Sequence, residues 1–174
     1  MDSNEKIKTA FARVSETLSK RPAFGLGTGV SKAIIKNGLT CEIREGSWTM
    51  IADMPEQAGG NAAGPTPGVY GRAALGSCLA IGYMMRAAAK NIPVAGIEVE
   101  VQADYDDGAL FGTSVDVPPG YLEIRYVVAI ESDAPEETIL QLLDEADSHS
   151  PYLDVFKRSQ TCHREVKIIS QKHH

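Results

Sequence analysis

The sequence predicts an α+β protein, with a mostly antiparallel sheet wrapped around one buried central helix. Three observations lead there. Residues 69–89 form an apolar stretch, rich in alanine and glycine, whose only charges are Arg72 and Arg86; apolar residues on every helical face mark a buried helix. Ile97, Val99 and Val101 alternate strictly with Glu98, Glu100 and Gln102, the period of a half-buried strand. Asn37-Gly38 stands between two apolar runs, the strongest short hairpin signal in the chain.

In chain order, residues 2–20 read as an amphipathic helix. Ile7, Phe11, Val14 and Leu18 recur at helical spacing, Asp2 and Glu5 fit a capping box, and Arg21-Pro22 ends the run. Core packing is the expected use of that stripe, with a dimer contact as the other. Gly25-Leu26-Gly27-Thr28-Gly29 lacks GxGxxG spacing and a following Lys-Ser/Thr pair, so it reads as a flexible entry into a strand. Residues 30–53 give two or three strands, with a type I′ turn at Asn37-Gly38 and a second corner at Glu45-Gly46. A Gly/Pro/Asn-rich run, 59–68, leads into the central helix. Pro65 and Pro67 suit that entry, because a first turn leaves the missing N–H unpaired anyway. Gly71, Gly76 and Gly82 each lower helix propensity by about 1 kcal/mol, which close approach of another backbone is expected to offset.

Beyond Asn91-Ile92-Pro93 comes the alternating strand 97–103. Asp106-Asp107-Gly108 reads as a solvated turn, since the twelve-residue calcium loop is missing. A second strand, 121–131, places Leu122, Ile124, Tyr126, Val128 and Ile130 on one face. Asp133 and Glu136 fit a capping box, with Pro135 in the first turn of a helix that buries Ile139, Leu142, Leu143 and Ala146. Ser150 is the N-cap of a short helix reaching about residue 158. Residues 164–169 read as a last strand, and His173 and His174 as a tail. The expected division is an N-terminal helical extension over residues 1–22 and one domain over residues 23–174.

A length of 174 residues suits a domain with a real core. The net charge of −6 and the absence of a dense Lys/Arg block argue against a nucleic-acid or acidic-membrane partner. Met1-Asp2-Ser3-Asn4-Glu5-Lys6 has no signal-peptide character, and two arginines and three glycines make 69–89 a poor membrane span. A cytoplasmic protein is expected. Cysteines at 41, 78 and 162 do not form a secreted disulfide framework, and no CxxC or His/Cys cluster occurs. Neither a metal nor a cofactor is expected.

Cys78 lies in the middle of the central helix. A free cysteine there commonly behaves as a small hydrophobe, whereas a reactive one needs its thiolate stabilised by a helix N-terminus or a cation. In an unbroken helix from Pro67, Cys78 is about three turns in, where the dipole helps little. Arg72 falls about 120° around the wheel and Arg86 about two turns onward. The cation must then come from another segment, with Lys36, Arg44, Arg125 and His149 as candidates, or a break at Gly76-Ser77 must create a fresh N-terminus.

Gly59-Gly60, then Gly64-Pro65-Thr66-Pro67-Gly68, then Ala73-Ala74-Leu75-Gly76-Ser77-Cys78-Leu79-Ala80 together resemble the central signature of the OsmC/Ohr family. These are the osmotically inducible and organic hydroperoxide resistance proteins. The element order over residues 28–169 is similar as well, so the resemblance covers most of the chain. It implies an OsmC-like fold with curved sheets and an intertwined homodimer with sites at the subunit interface. It also implies a thiol-dependent peroxidase of the oxidative stress response that reduces organic hydroperoxides. By the same resemblance Cys78 is the redox-active nucleophile, which becomes a sulfenic acid.

The chain departs from that pattern around the nucleophile. Ser150, in His149-Ser150-Pro151-Tyr152, stands where the family's peroxidases carry a resolving cysteine. Gly68 and Val69 stand where they carry a glutamate that orients an arginine. Arg44 is the arginine nearest the first hairpin and a candidate thiolate partner; Glu56 is a candidate orienting acid. Cys162 (beside His163 and Arg164), Cys41 or an external thiol reductant would have to resolve the sulfenic acid. Two functions follow from the resemblance: a peroxidase with an atypical or external resolving thiol, or a non-catalytic dimer binding a small hydrophobic ligand at its interface.

Overall fold

The computed structural model describes residues 3–169. In chain order the elements are α1 (Ser3–Lys20), β1 (Lys32–Ile35), β2 (Cys41–Glu45), β3 (Trp48–Ala52), α2 (Pro67–Lys90), β4 (Gly96–Asp104), α3 (Asp107–Phe111), β5 (Glu123–Glu131), α4 (Glu136–Asp147) and α5 (Pro151–Lys157). Short 3₁₀ turns occupy Pro22–Gly25 and Glu56–Ala58. The class is α+β and every strand pair is antiparallel, but the strands form two sheets rather than one, β1-β2-β3 and β4-β5.

Helix α2 starts at Pro67 and runs unbroken through Gly76-Ser77 to Asn91, which closes it in the left-handed region at φ 55°. Leu75, Leu79, Tyr83, Ala87 and Ala88 are buried. They pack on Ile97, Val99 and Val101 of β4, on Ile124, Tyr126 and Val128 of β5, and on α4 through Leu142 and Ala146. The alternation read in β4 and β5 therefore places the expected residues on the core, apart from Leu122, which lies outside the strand and is exposed. Gly76 lets the β4 backbone in: a Cβ there would stand 3.3 Å from Val101 Cγ2 and 3.6 Å from the Val99 carbonyl oxygen. Gly82 has nothing within 4 Å, and its neighbours Ile81 and Met85 are 60% and 40% exposed. Burial on all faces of α2 is thus corrected to burial on one face.

The β1–β2 connection spans residues 36–40, with Ile35 opposite Cys41. Only Gly38 has positive φ, 62°, so the expected type I′ turn, which needs two such residues, is not formed. The next corner is a tight one through Gly46-Ser47, with Glu45 opposite Trp48. Asp53, 2% exposed, anchors the loop from β3 to α2. It accepts from Thr40 Oγ1 and the Met54 N–H at 2.7 Å each, and from the Asn61 and Ala63 N–H groups at 3.3 Å. The Thr40 hydrogen bond, helped by the backbone donors and opposed by burial, holds this carboxyl below its usual range. Gly60 has no room for a side chain, since a Cβ would meet the Met54 carbonyl oxygen at 1.8 Å.

Other readings change. The turn at Asp106-Asp107-Gly108 is the start of α3, capped by Asp106 accepting from the Gly108 N–H at 2.7 Å. Helix α4 has no side-chain cap from Asp133; Ser132 Oγ accepts from the Ala134 N–H nearby. Residues 164–169 are not a strand, and Val166, Ile168 and Ile169 are exposed. A segment becomes a strand only by pairing, and this one has no ladder partner among the described residues. The α1 stripe is half used: Ile7 and Phe11 are partly covered by α2, whereas Val14 and Leu18 are exposed. Asp2, His173 and His174 lie outside the described residues. No helix among the described residues is long and apolar enough to cross a membrane.

Candidate functional site

The open face of α2 and the corner between α4 and α5 enclose a cavity of about 690 Å³ with mostly apolar walls. Ala74, Ser77, Cys78, Ile81, Gly82 and Met85 line it at helical spacing. Ala146, His149, Ser150, Pro151 and Tyr152 come from the opposite wall, and Phe11 of α1 closes a side. Cys78 is three residues from buried Leu75, about 60° around the helix. It therefore sits at the seam between the buried face and the open one, half-buried.

Its Sγ lies 3.5 Å from Ser150 Oγ. Ser150 is only 8% exposed and caps α5 as expected, its Oγ accepting from the Leu153 N–H at 3.3 Å. Three residues earlier, Asp147 receives two tyrosine hydroxyls, Tyr83 on one carboxylate oxygen and Tyr126 on the other, both at 2.6 Å. Burial first, and then the Asp147 carboxylate, push the Tyr126 hydroxyl up to about 12 and the Tyr83 hydroxyl higher still. The sequence reading missed this clamp, because Tyr83 and Tyr126 sit in apolar segments and nothing local marks where their hydroxyls meet Asp147.

Around the cavity the charged groups are engaged. Arg86 pairs with Glu145 at 2.7 Å, and Lys90 takes the other carboxylate oxygen at 2.5 Å. The Arg86 guanidinium also sits 5.9 Å from the Phe11 ring centre. His149 Nδ1 lies 2.9 Å from the Glu145 carbonyl oxygen and 2.8 Å from Ser148 Oγ.

The other candidates lie elsewhere. Arg44 is on β2, exposed and paired with Glu42. Glu56 is exposed in the turn Glu56–Ala58. Cys162 is exposed, its Sγ 3.8 Å from the Gln160 carbonyl oxygen, and Cys41 is on β2. Arg125 is held bidentately by Asp104 at 2.6 and 2.9 Å, and Lys36 is in the β1–β2 connection. None of these lines the Cys78 cavity; of the suggested cations only His149 does. All three cysteines are free. Among the described residues no cluster of three or more His, Cys, Asp or Glu side chains forms a metal site.

The structure therefore defines an α+β domain whose central helix carries a cysteine at a mostly apolar cavity. The family of OsmC-like proteins matches residues 59–163, a stretch that runs from Gly59-Gly60 past Cys78 and Ser150. The chain belongs to the OsmC-like family. Its fold is similar to that of an OsmC-like protein from Mycoplasma pneumoniae, at 17% identity and a TM-score of 0.64 over 75% of this chain and 88% of that one. An OsmC-like protein of unknown function from Vibrio cholerae matches at 11% identity and a TM-score of 0.60, over 74% of this chain and 93% of that one. An organic hydroperoxide resistance protein from Legionella pneumophila matches at 16% identity and a TM-score of 0.51, over 76% and 90%. No curated protein sequence matches the chain.

Proposed function

We propose that the protein is a thiol-dependent peroxidase that reduces organic hydroperoxides through Cys78 and is regenerated by an external thiol. The observation that carries this reading is the Cys78 thiol opening into a mostly apolar cavity large enough for a small organic molecule. The thiolate sulfur attacks the distal oxygen of the hydroperoxide. The S–O bond forms as the O–O bond breaks, and the alkoxide takes a proton and leaves as the alcohol. A small thiol then attacks the sulfenic sulfur, displacing water. A second thiol frees Cys78 and carries away the disulfide. An external reductant fits because neither Cys41 nor Cys162 lines the cavity and Ser150 cannot form a disulfide. We place the protein in the cytoplasm as a homodimer, with residues 1–22 as an extension of the OsmC-like domain.

The test is consumption of cumene hydroperoxide with dithiothreitol by the full chain and by Cys78→Ser. One dithiol should be oxidised per peroxide, and Cys78→Ser should fall to the buffer rate, with a sulfenic-acid reagent labelling only the wild type. Equal background rates in both proteins would overturn the reading. A second reading, non-catalytic binding of a small hydrophobic ligand, is favoured by the apolar walls alone. It would show as saturable binding of an apolar fluorophore that Cys78→Ser leaves unchanged.

A further inference from the structure

We propose that Ser150 is a catalytic residue of this site: its hydroxyl donates a hydrogen bond to the Cys78 sulfur and stabilises the thiolate, where no cation among the described residues is hydrogen-bonded to it. A serine hydroxyl donates one hydrogen bond and accepts two. One acceptor position of Ser150 Oγ is used by the Leu153 N–H at 3.3 Å. Its O–H remains, and the partner within reach is Cys78 Sγ at 3.5 Å.

With the thiol protonated, either group can donate. A thiolate can only accept, so loss of the proton fixes the direction from Ser150 to Cys78. A hydrogen bond made to the charged form favours that form. Water competes for the Ser150 hydroxyl less than at an open surface, because Ser150 is 8% exposed. The donor is also preorganised, since Ser150 is held at the start of α5 with Pro151 in the first turn.

Among the described residues, none of the other titratable groups facing the cavity is hydrogen-bonded to Cys78. On α2, Arg86 is paired with Glu145 and the Tyr83 hydroxyl is given to Asp147. At the corner, His149 Nδ1 is engaged by the Glu145 carbonyl oxygen and Ser148 Oγ, and on α5 Tyr152 lines the wall. Among the described residues, the Cys78 side chain has one hydrogen-bond partner, Ser150. The inference deepens the proposed peroxidase reading, and its test uses a readout that does not need peroxide turnover.

That readout is the rate of Cys78 alkylation by iodoacetamide across pH, in the full chain with Cys41 and Cys162 changed to serine. Ser150→Ala should react about tenfold more slowly near neutral pH, with the midpoint of the rate profile raised by about one unit. Because alanine also removes the α5 cap, two further variants separate the roles. Ser150→Asn and Ser150→Asp both keep a capping acceptor, but only asparagine keeps a donor for the sulfur. Asparagine should stay near the serine protein, and aspartate should react more slowly than alanine. Aspartate matching asparagine would reduce Ser150 to a cap and overturn the proposal, as would one common profile for all four proteins. Failed peroxidase activity with the predicted alkylation order would instead leave Ser150 in place and remove only the peroxide chemistry.

Discussion

Asp147 ties three elements together at the scale of single atoms. Tyr83 from α2 and Tyr126 from β5 each give it a hydroxyl at 2.6 Å, so α4 ends in a fixed position three residues before Ser150. Tyr126→Phe removes a hydrogen bond to a carboxylate and should cost about 1–2 kcal/mol in urea unfolding. The pH dependence follows from the raised tyrosine. Tyr126 ionises at about 12 in the folded protein and at about 10 when unfolded, so the folded state holds its proton longer. That contribution is fully present below about pH 10 and is lost as pH rises through about 12. Alkaline unfolding curves should decline less steeply in Tyr126→Phe than in the wild type. Identical curves would show that the clamp does not contribute to stability. None of this was legible beforehand: Tyr126 was read from the apolar face it shares and Tyr83 was not singled out, and an apolar face does not reveal where a hydroxyl at its end is aimed.

Among the elements, α1 has the clearest consequence for the cavity. It buries no residue fully, yet Phe11 forms part of the cavity wall and Lys8 Nζ donates to Asn91 Oδ1 at 2.6 Å. Arg86 stacks on Phe11 while paired with Glu145, so one side chain links α1 to α4. Phe11→Ala should widen the cavity and raise Cys78 alkylation by a bulky aromatic maleimide several-fold more than by iodoacetamide. Equal acceleration of both reagents would mean that Phe11 does not limit size. How much the sequence revealed depended on how locally each element is decided. The β4 alternation carried over because the face of a ribbon is set by its own period. The Asn37-Gly38 hairpin formed where it was read, but without the type I′ turn; beside it Thr40 donates to Asp53 and receives the Asn61 amide. Those tertiary bonds hold the connection open against the local preference. Ser150 was legible as a helix cap, and Cys78 as a position on the central helix. Arg44 and Glu56 were not placed, since nearness to a hairpin in sequence does not say which way a sheet faces.

At the scale of the whole molecule, one chain leaves too much apolar surface open for its two sheets. The α2 face carries Ile81 and Met85 at 60% and 40% exposure, beside Gly82 with its empty surroundings. On the three-stranded sheet Ile34, Ile35, Trp48 and Met50 are exposed, and Val166, Ile168 and Ile169 extend unpaired beyond α5. Isolated apolar residues are ordinary on a surface, but a run of them along one helix marks a contact. Each Å² removed from water there contributes about 25 cal/mol, and Gly82 would let a second backbone approach as Gly76 lets in β4. The proposed homodimer joins two chains through this α2 face, which makes the Cys78 cavity an interface cavity. Light scattering on the eluting protein should give twice the chain mass at micromolar concentration. Ile81→Glu, which buries a charge at that contact, should shift the mass toward one chain. A wild type of single-chain mass would sink the dimer and leave the cavity open to solvent. A dimer that survives Ile81→Glu would move the contact to the exposed sheet, where Trp48→Glu is the corresponding substitution.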